Sequence, residues 1–517
     1  MTDAVSASVY GGPPPPAHFN IAQACLRYQT GASPDKPALV VAHDPADGSA
    51  DEVWTYARLE DAVLRVSTVL LAMGVKKGDR ILLRLGNTAG MAITFLAATA
   101  IGAIAIPLSS QLTGADIAFM AEDTEPALIV VASDLPIGDA GRDRRVVEEA
   151  NLLARAETAD RAAYLDTACD DPAYLVYTSG ATSRPKGVLH GQRALWGRRP
   201  MYAGWYGICA TDIVLHAGTL NWTYTLGTGL LDPLVNGATG VVFTGDRRPD
   251  IWPALIDRFQ ATLFAAVPTV YRQILKYCAM SPSAVPTLRH GLAAGEPLRP
   301  EIANAWHQAT GRRIFEAFGM SEVSTYISTP PTETPRPGSP GRPQDGRAVA
   351  ILPLEEGTKP IGRGETGLIA VHRSDPALMI GYWNRPDEDP FRGDWFVTGD
   401  LAVMDEDGYV WPKGRGDDVM KVMGYRVSAA EVEDVLCAAP GVAEVAVVAI
   451  EPRTGVSVIR ACVVAQDGAA LAPEKVLEFA RSRLAAYKVP HEIVVTGALP
   501  RTANGKIQRA KLRDPIA

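Results

Sequence analysis

The feature of this sequence that most constrains its fold is a repeated alternation of short β-branched runs with longer amphipathic stretches. Ala38 to Ala42, Arg80 to Arg84 and Leu128 to Ala132 are runs of the first kind, and Tyr56 to Met73 carries the apolar spacing of a helix. Strands that alternate with helices pair in parallel, so this rhythm predicts a layered α/β fold with a largely parallel sheet. The rhythm returns from Ile213 to Phe243, where a Leu- and Gly-rich helix is expected before Val241-Val242-Phe243, and again from Thr262 to Ala279. Two similar α/β layers follow from that repetition.

From Gly341 to Val410 the texture changes. Short strands are separated by turns rich in Gly, Pro and Asp (Glu355-Glu356-Gly357, Arg363-Gly364-Glu365, Asp405-Glu406-Asp407-Gly408), which predicts a β-rich segment of hairpins. After Arg415-Gly416-Asp417-Asp418 a compact unit of about 100 residues begins: helix Ala429 to Ala438, strands Ala443 to Ile450 and Ile459 to Val464, helix Pro473 to Tyr487, and strand Glu492 to Val495. A chain of 517 residues also exceeds the roughly 250 to 300 at which a single core stops growing. The expected organisation is a large N-terminal domain over residues 1–414, made of two layered α/β subdomains plus the β-rich segment, then a small α/β domain over residues 418–517.

Composition removes several function classes. The 50 basic and 58 acidic residues leave a net charge of -8 with no long single-sign run, so nucleic acid is not an expected partner. The six cysteines (Cys25, Cys169, Cys209, Cys278, Cys437, Cys462) are scattered, which argues against a disulfide framework or a thiolate zinc site and fits a reducing cytoplasm. The start is acidic and runs into Gly11, Gly12 and Pro13 to Pro16, the reverse of a signal peptide, and the proline run reads as a stiff, exposed leader. The most apolar stretch, Ala97 to Pro107, is shorter than the roughly 20 residues that span a bilayer and reads as a buried helix and strand.

The chemistry enters at Tyr177-Thr178-Ser179-Gly180-Ala181-Thr182-Ser183-Arg184-Pro185-Lys186-Gly187, which follows the strand-like Ala173 to Val176. Such a loop can turn backbone N–H groups and the hydroxyls of Thr178, Ser179 and Thr182 toward an anion, while Lys186 adds a compact positive charge. A polyphosphate is the natural ligand. The spacing is not that of a Walker loop, because the glycine here follows the lysine.

This ordering resembles the phosphate loop of the adenylate-forming superfamily, which comprises acyl-CoA synthetases, peptide-synthetase adenylation domains and luciferases. Two departures are visible: Ala181 stands where the family usually has Ser or Thr, and Ser183 where it usually has Gly. Further motifs follow in the family's order. Gly295-Glu296-Pro297 resembles its nucleotide-contacting turn. Glu316-Ala317-Phe318-Gly319-Met320-Ser321-Glu322 resembles the motif whose aromatic stacks on adenine and whose glutamate helps hold Mg²⁺. Thr398-Gly399-Asp400 resembles the ribose clamp. Arg415, Asp417 and Gly424-Tyr425-Arg426 resemble the linker and opening of a mobile C-terminal domain. By that resemblance Arg415 contacts ribose or phosphate, residues 415–417 form a hinge centred on Asp417, and Gly424, Tyr425 and Arg426 lie in the coenzyme A passage. Pro500 to Ile507 resembles the segment that carries the catalytic Lys506. These motifs span Tyr177 to Lys506, nearly two thirds of the chain.

The resemblance implies an AMP-forming acid–CoA ligase with ATP and Mg²⁺ as cofactors and coenzyme A as co-substrate. A carboxylate attacks the α-phosphorus of ATP; Lys506 bridges the two reactants, while Mg²⁺ held by Glu322 and Thr182, with Lys186, stabilises the departing pyrophosphate. A thiol then attacks the mixed anhydride and AMP leaves, with Lys506 moved away by the hinge. Trp222 matches the family's acyl gate, and Tyr224, Ala293, Gly319, Val323 and Tyr326 complete the expected acyl pocket. Asn221 to Ala238 most resembles medium-chain and benzoate-type ligases. Gly319 stands where acetate-activating relatives place a blocking tryptophan, so an acid larger than acetate is expected. That neighbourhood has no obvious cation, which favours a monocarboxylate, aliphatic or aromatic. His190 and His216 lie near these motifs and read as structural. A carrier-protein-loading adenylation enzyme and a luciferase-like oxygenase use the same first step, and monomer and homodimer both remain open.

Overall fold

The computed structural model describes residues 11–44, 48–178, 185–416, 419–422, 425–453, 456–466, 469–501 and 507–513. It divides into two compact units: Ser8–Ala348 with His372–Asp389, and Val349–Val371 with Pro390–Ala517.

The first unit contains two sheets. One has seven strands in the order Gly381–Tyr382, Lys186–Gly191, Pro172–Thr178, Ile104–Pro107, Arg80–Arg84, Leu128–Val131 and Val146–Glu148. Pairing is parallel from Pro172–Thr178 to the Val146–Glu148 edge. Parallel sheets are covered on both faces, and their strands accordingly read as unbroken apolar runs. Ile104–Pro107 and Leu128–Val131 are buried at every position. The helix Ala89–Ala100, capped by the Thr88 side chain, is buried along its whole length. The apolar stretch Ala97 to Pro107 is thus the end of a buried helix and the strand after it, as expected.

The other sheet has nine strands in the order Arg342–Pro343, Ser324–Ser328, Ile314–Met320, His290–Ala294, Leu263–Ala266, Ile213–His216, Thr239–Thr244, Pro37–His43 and Glu52–Thr55. Its interior pairings are parallel, and the strands at both edges are antiparallel. The helix expected at Tyr56 to Met73 runs from Tyr56 to Ala72, with the Thr55 hydroxyl accepting the Arg58 N–H. The Leu- and Gly-rich helix before Val241 is wider than an α-helix. Leu226–Leu231 forms a π-helical turn between the short α-helical pieces Thr223–Thr225 and Asp232–Val235. Against it, Arg198 and Asp232, both buried, form a two-pronged ion pair at 2.6 and 2.8 Å. A Cβ at Gly227 would sit 2.0 Å from that guanidinium. The proline leader stays largely exposed but is tied down, with Trp196 Nε1 donating to the Pro13 carbonyl at 2.9 Å.

The second unit holds a five-stranded sheet built from Val349–Leu352, Thr366–His372, Phe391–Arg392, Trp395–Met404 and Val410–Arg415, the β-rich segment foreseen; Val349–Leu352 pairs antiparallel with Thr366–His372, and Trp395–Met404 pairs antiparallel with Phe391–Arg392 and Val410–Arg415. Val419–Val422 and Tyr425–Ser428 pair as a ribbon. The helix Ala429–Cys437 then leads into a three-stranded sheet of Val442–Arg453, Val456–Ala465 and Glu492–Val495. Val432, Leu436, Val447, Ala461 and Val463 form its core. One expected element is shorter than anticipated: the helix foreseen from Pro473 to Tyr487 stops at Arg481, and a 3₁₀ turn covers Ala486–Lys488. Ser482 ends it, its hydroxyl donating back to the Phe479 carbonyl at 2.8 Å, the local competition that makes serine a poor helix continuer. Among the described residues no helix is long and apolar enough to cross a membrane.

Candidate active site

The expected phosphate loop joins two antiparallel strands. Thr178 ends the first and Lys186 opens the second, directly opposite in register, with Tyr177 facing Gly187. Ser179, Gly180 and Thr182, with Ala181 and Ser183, lie outside the described residues. The root of the loop is anchored from the side. The Tyr177 hydroxyl donates to the Asp123 carboxylate at 2.5 Å, at the end of the helix Gly114–Thr124. Trp383 Nε1 and Asn384 Nδ2 donate to the Asp123 carbonyl at 2.9 and 2.6 Å.

A strap over residues 379–388, which the sequence reading did not identify, ties the lysine strand to Glu322. Met379 N–H donates to the Glu322 carbonyl, Ile380 N–H to Leu189 and Trp383 N–H to Gly187, each at 2.8 Å. Tyr382 connects the two expected catalytic side chains. Its ring centroid lies 5.4 Å from Lys186 Nζ, a distance at which the ring face attracts a cation. Its hydroxyl donates to Glu322 Oε1 at 2.9 Å. The Lys186 ammonium itself forms an ion pair with Glu388.

The remaining expected residues of this unit sit where parallel strands end, the usual place for a ligand in an α/β sheet. Gly295 follows His290–Ala294 with φ +88°, a left-handed turn that suits glycine. The Glu296 carboxylate accepts both the N–H and the hydroxyl of Thr269, at 3.1 and 2.7 Å, so it fastens this turn to the start of the helix Pro268–Tyr277. Pro297 completes the turn. Glu316 and Ala317 lie on the strand Ile314–Met320, paired with Ala293 and Ala294. Glu316 accepts the Leu298 N–H at 2.9 Å, and burial pushes its carboxyl up to about 7 against the pull of that hydrogen bond. Phe318, partly exposed, meets Tyr326 edge to face at 5.9 Å. A Cβ at Gly319 would lie 2.3 Å from the Ser324 carbonyl oxygen, because the neighbouring strand bulges there. The turn Ser321-Glu322 is held by His190, whose Nε2 lies 2.8 Å from the Ser321 carbonyl and therefore carries the proton. Burial lowers that imidazole to about 3, so it is neutral.

The expected acyl residues adjoin the nucleotide turn. The missing Cβ of Gly295 would contact the Trp222 ring at 3.3 Å. Tyr224 donates to the Leu292 carbonyl at 3.2 Å and packs edge to face on His216 at 4.5 Å. His216 accepts the Gly218 N–H at Nδ1 and is held neutral by burial, which lowers it to about 3. Ala293, Val323 and Tyr326 are fully buried. Glu322 is 8% exposed, and no group of three or more His, Cys, Asp or Glu among the described residues is arranged to hold a metal. One carboxylate of this kind fits an ion held mainly by phosphate oxygens and water, which is how Mg²⁺ binds.

In the second unit, Asp400 lies on Trp395–Met404 opposite Arg415, whose Nη1 is 3.3 Å from Asp400 Oδ1 and 3.0 Å from the Thr398 carbonyl. Tyr425 and Arg426 open the strand Tyr425–Ser428. Asp417, Gly424 and Lys506 lie outside the described residues; Arg501 and Ile507, on either side of the Lys506 segment, form an antiparallel bridge.

Comparison with known proteins gives the family. The model of the AMP-binding enzyme family matches residues 26–383, and that of the AMP-binding enzyme C-terminal domain matches residues 431–506. The chain is 32% identical, over 90% of its length and 91% of the other, to an uncharacterized acyl–CoA ligase of Bacillus subtilis. It is 30% identical, over 93% of each chain, to a 3-hydroxybenzoate–CoA ligase of Aromatoleum. A solved benzoate CoA ligase from Burkholderia xenovorans superposes with a TM-score of 0.85 at 29% identity, over 96% of this chain and 100% of that one. The chain belongs to the AMP-binding enzyme family, and it is an AMP-forming acid–CoA ligase that uses ATP, Mg²⁺ and coenzyme A.

Proposed function

We propose that the acid is an aromatic monocarboxylate of the benzoate or hydroxybenzoate type. The observation that carries this reading is the contact of Trp222 with the Gly295 turn, which makes an aromatic wall contiguous with the nucleotide turn. Tyr224, Ala293, Val323 and Tyr326 are the other residues proposed for the acyl pocket; Ala293, Val323 and Tyr326 are buried, and Tyr326 meets Phe318 edge to face. Flat, apolar surroundings suit a planar ring and penalise a second, unpaired carboxylate. The 3-hydroxybenzoate and benzoate ligases among the relatives support the same class.

The roles proposed for the individual residues are those that the family resemblance implies. Lys186 and the hydroxyls of Thr178, Ser179 and Thr182 with the Gly180 backbone hold the polyphosphate; Gly295, Glu296 and Pro297 shape the nucleotide turn; Phe318 stacks on adenine. Glu322 and Thr182 hold Mg²⁺, Asp400 and Arg415 take the ribose, and Lys506 bridges carboxylate and α-phosphate. Residues 415–417, around Asp417, form a hinge between an N-terminal domain over 1–414 and a C-terminal domain over 418–517, and Gly424, Tyr425 and Arg426 line the passage for coenzyme A. A boundary between two domains is supported by the two family matches, which stop at 383 and restart at 431. The cytoplasm is the proposed location, supported by six free cysteines. A panel of acids incubated with the protein, MgATP and coenzyme A tests the substrate class: benzoate and hydroxybenzoates should give the fastest AMP release, and a preference for aliphatic or dicarboxylic acids would refute it.

A further inference from the structure

The phosphate lysine already has an anion. Glu388 forms an ion pair with Lys186, and Arg385 Nη1 lies 3.4 Å from the second carboxylate oxygen. The two partners come from different pieces of chain: Lys186 opens a sheet strand opposite Thr178, and Glu388 lies at the end of the strap. The Tyr382 ring is the cation's other neighbour, at 5.4 Å. Neither partner is deeply buried, with side-chain exposures of 23% for Lys186 and 35% for Glu388.

We propose that Glu388 is a built-in stand-in for nucleotide phosphate: it holds Lys186 in the empty enzyme, is displaced by the polyphosphate of ATP, and takes the lysine back as pyrophosphate leaves. This rests on the assignment of Lys186 as the polyphosphate lysine. The Lys186 ammonium has three donors, but a polyphosphate on it would bring a second anion against the Glu388 carboxylate, and that repulsion favours breaking the Glu388 pair when the nucleotide binds. Apparent ATP affinity is then lowered by the fraction of enzyme in which Lys186 is engaged. The same competition helps to expel pyrophosphate, a product that would otherwise keep the full strength of the lysine contact. Glu388 acts through Lys186 and is a positioning residue.

Partly exposed ion pairs are worth little, which bounds the effect at about two- to five-fold in affinity. The test is direct titration of MgATP and of pyrophosphate by calorimetry, on the full-length protein and on Glu388→Gln, Lys186→Met and the double variant. Glu388→Gln keeps the shape of the side chain and should tighten both ligands by that factor, with the acid KM unchanged. The gain should be absent in the Lys186→Met background and should shrink in 1 M salt, where the screening length is about 3 Å. If Glu388→Gln leaves both affinities unchanged or weakens them while Lys186→Met weakens them, the stand-in role is overturned and the lysine assignment survives. If Lys186→Met changes neither affinity, the lysine assignment falls and takes the stand-in role with it.

Discussion

Replacing Tyr382 by Phe removes one oxygen from the site and leaves the aromatic ring beneath Lys186 in place. The lost contact is the 2.9 Å hydrogen bond to Glu322 Oε1, made to a carboxylate that is only 8% exposed. Hydrogen bonds to charged groups are worth about 1.5 to 3 kcal/mol, and deleting a residue that orients a metal ligand typically costs about 10- to 100-fold in metal affinity or activity. The two ranges agree, since ~1.4 kcal/mol is tenfold. The assay is acid-dependent exchange of pyrophosphate into ATP across a Mg²⁺ titration. Tyr382→Phe should shift the half-saturating free Mg²⁺ upward by about 10- to 100-fold while leaving the acid KM near its original value. An unchanged Mg²⁺ profile would refute the reasoning that Glu322 serves the metal and that Tyr382 holds it ready.

Other perturbations separate charge, burial and chemistry. Between pH 4.5 and about 7 the folded protein retains a proton on Glu316 that the unfolded chain has released, so this residue lowers stability as pH rises through that window, by on the order of 3 kcal/mol. Glu316→Gln keeps an acceptor for the Leu298 N–H and should melt higher than the parent at pH 8 and equally at pH 4.5. His190 and His216 show the opposite dependence on the acid side. Buried neutral with values near 3, they leave the unfolded chain to take up protons below pH 6.5, costing roughly 2 kcal/mol each by pH 5. The melting midpoint of a His190→Gln/His216→Gln variant should therefore fall less between pH 7.5 and 5 than that of the parent. Lys506→Ala should slow adenylate formation by on the order of 10² to 10³ or more while transfer from supplied acyl-adenylate persists, and Gly424→Leu should do the reverse. Measuring both half-reactions checks the pair, and equal losses in each would contradict the assigned division of labour.

Much of this architecture was legible because it is local. The strand at Arg80 to Arg84, the helix from Tyr56 and the strand Glu492–Val495 follow from side-chain period alone. The motif residues Lys186, Gly295 and Glu322 were legible as short strings whose order matched a known family. What could not be read is what lies across strands. Tyr382 and Glu388 touch residues 60 and 202 positions away and carry no motif of their own. Gly319 looked like the absence of a blocking side chain. Its immediate cause is the backbone of Ser324 and Thr325, brought close by a bulge that no periodicity announces. The π-helical turn at Leu226–Leu231 likewise packs Gly227 against the guanidinium of a buried Arg198–Asp232 pair, a neighbour distant in sequence. The helix foreseen to Tyr487 failed at Ser482 because its apolar spacing outlasted the backbone's willingness to continue.

The most direct test of the central claim is the stoichiometry of the complete reaction with purified protein, MgATP, coenzyme A and either benzoate or 3-hydroxybenzoate, followed by chromatography of nucleotides and thioesters. The account predicts one acyl-CoA and one AMP for each ATP consumed, with pyrophosphate as the other product and every product dependent on the acid. Acyl-adenylate accumulating without thioester, or ADP in place of AMP, would contradict it.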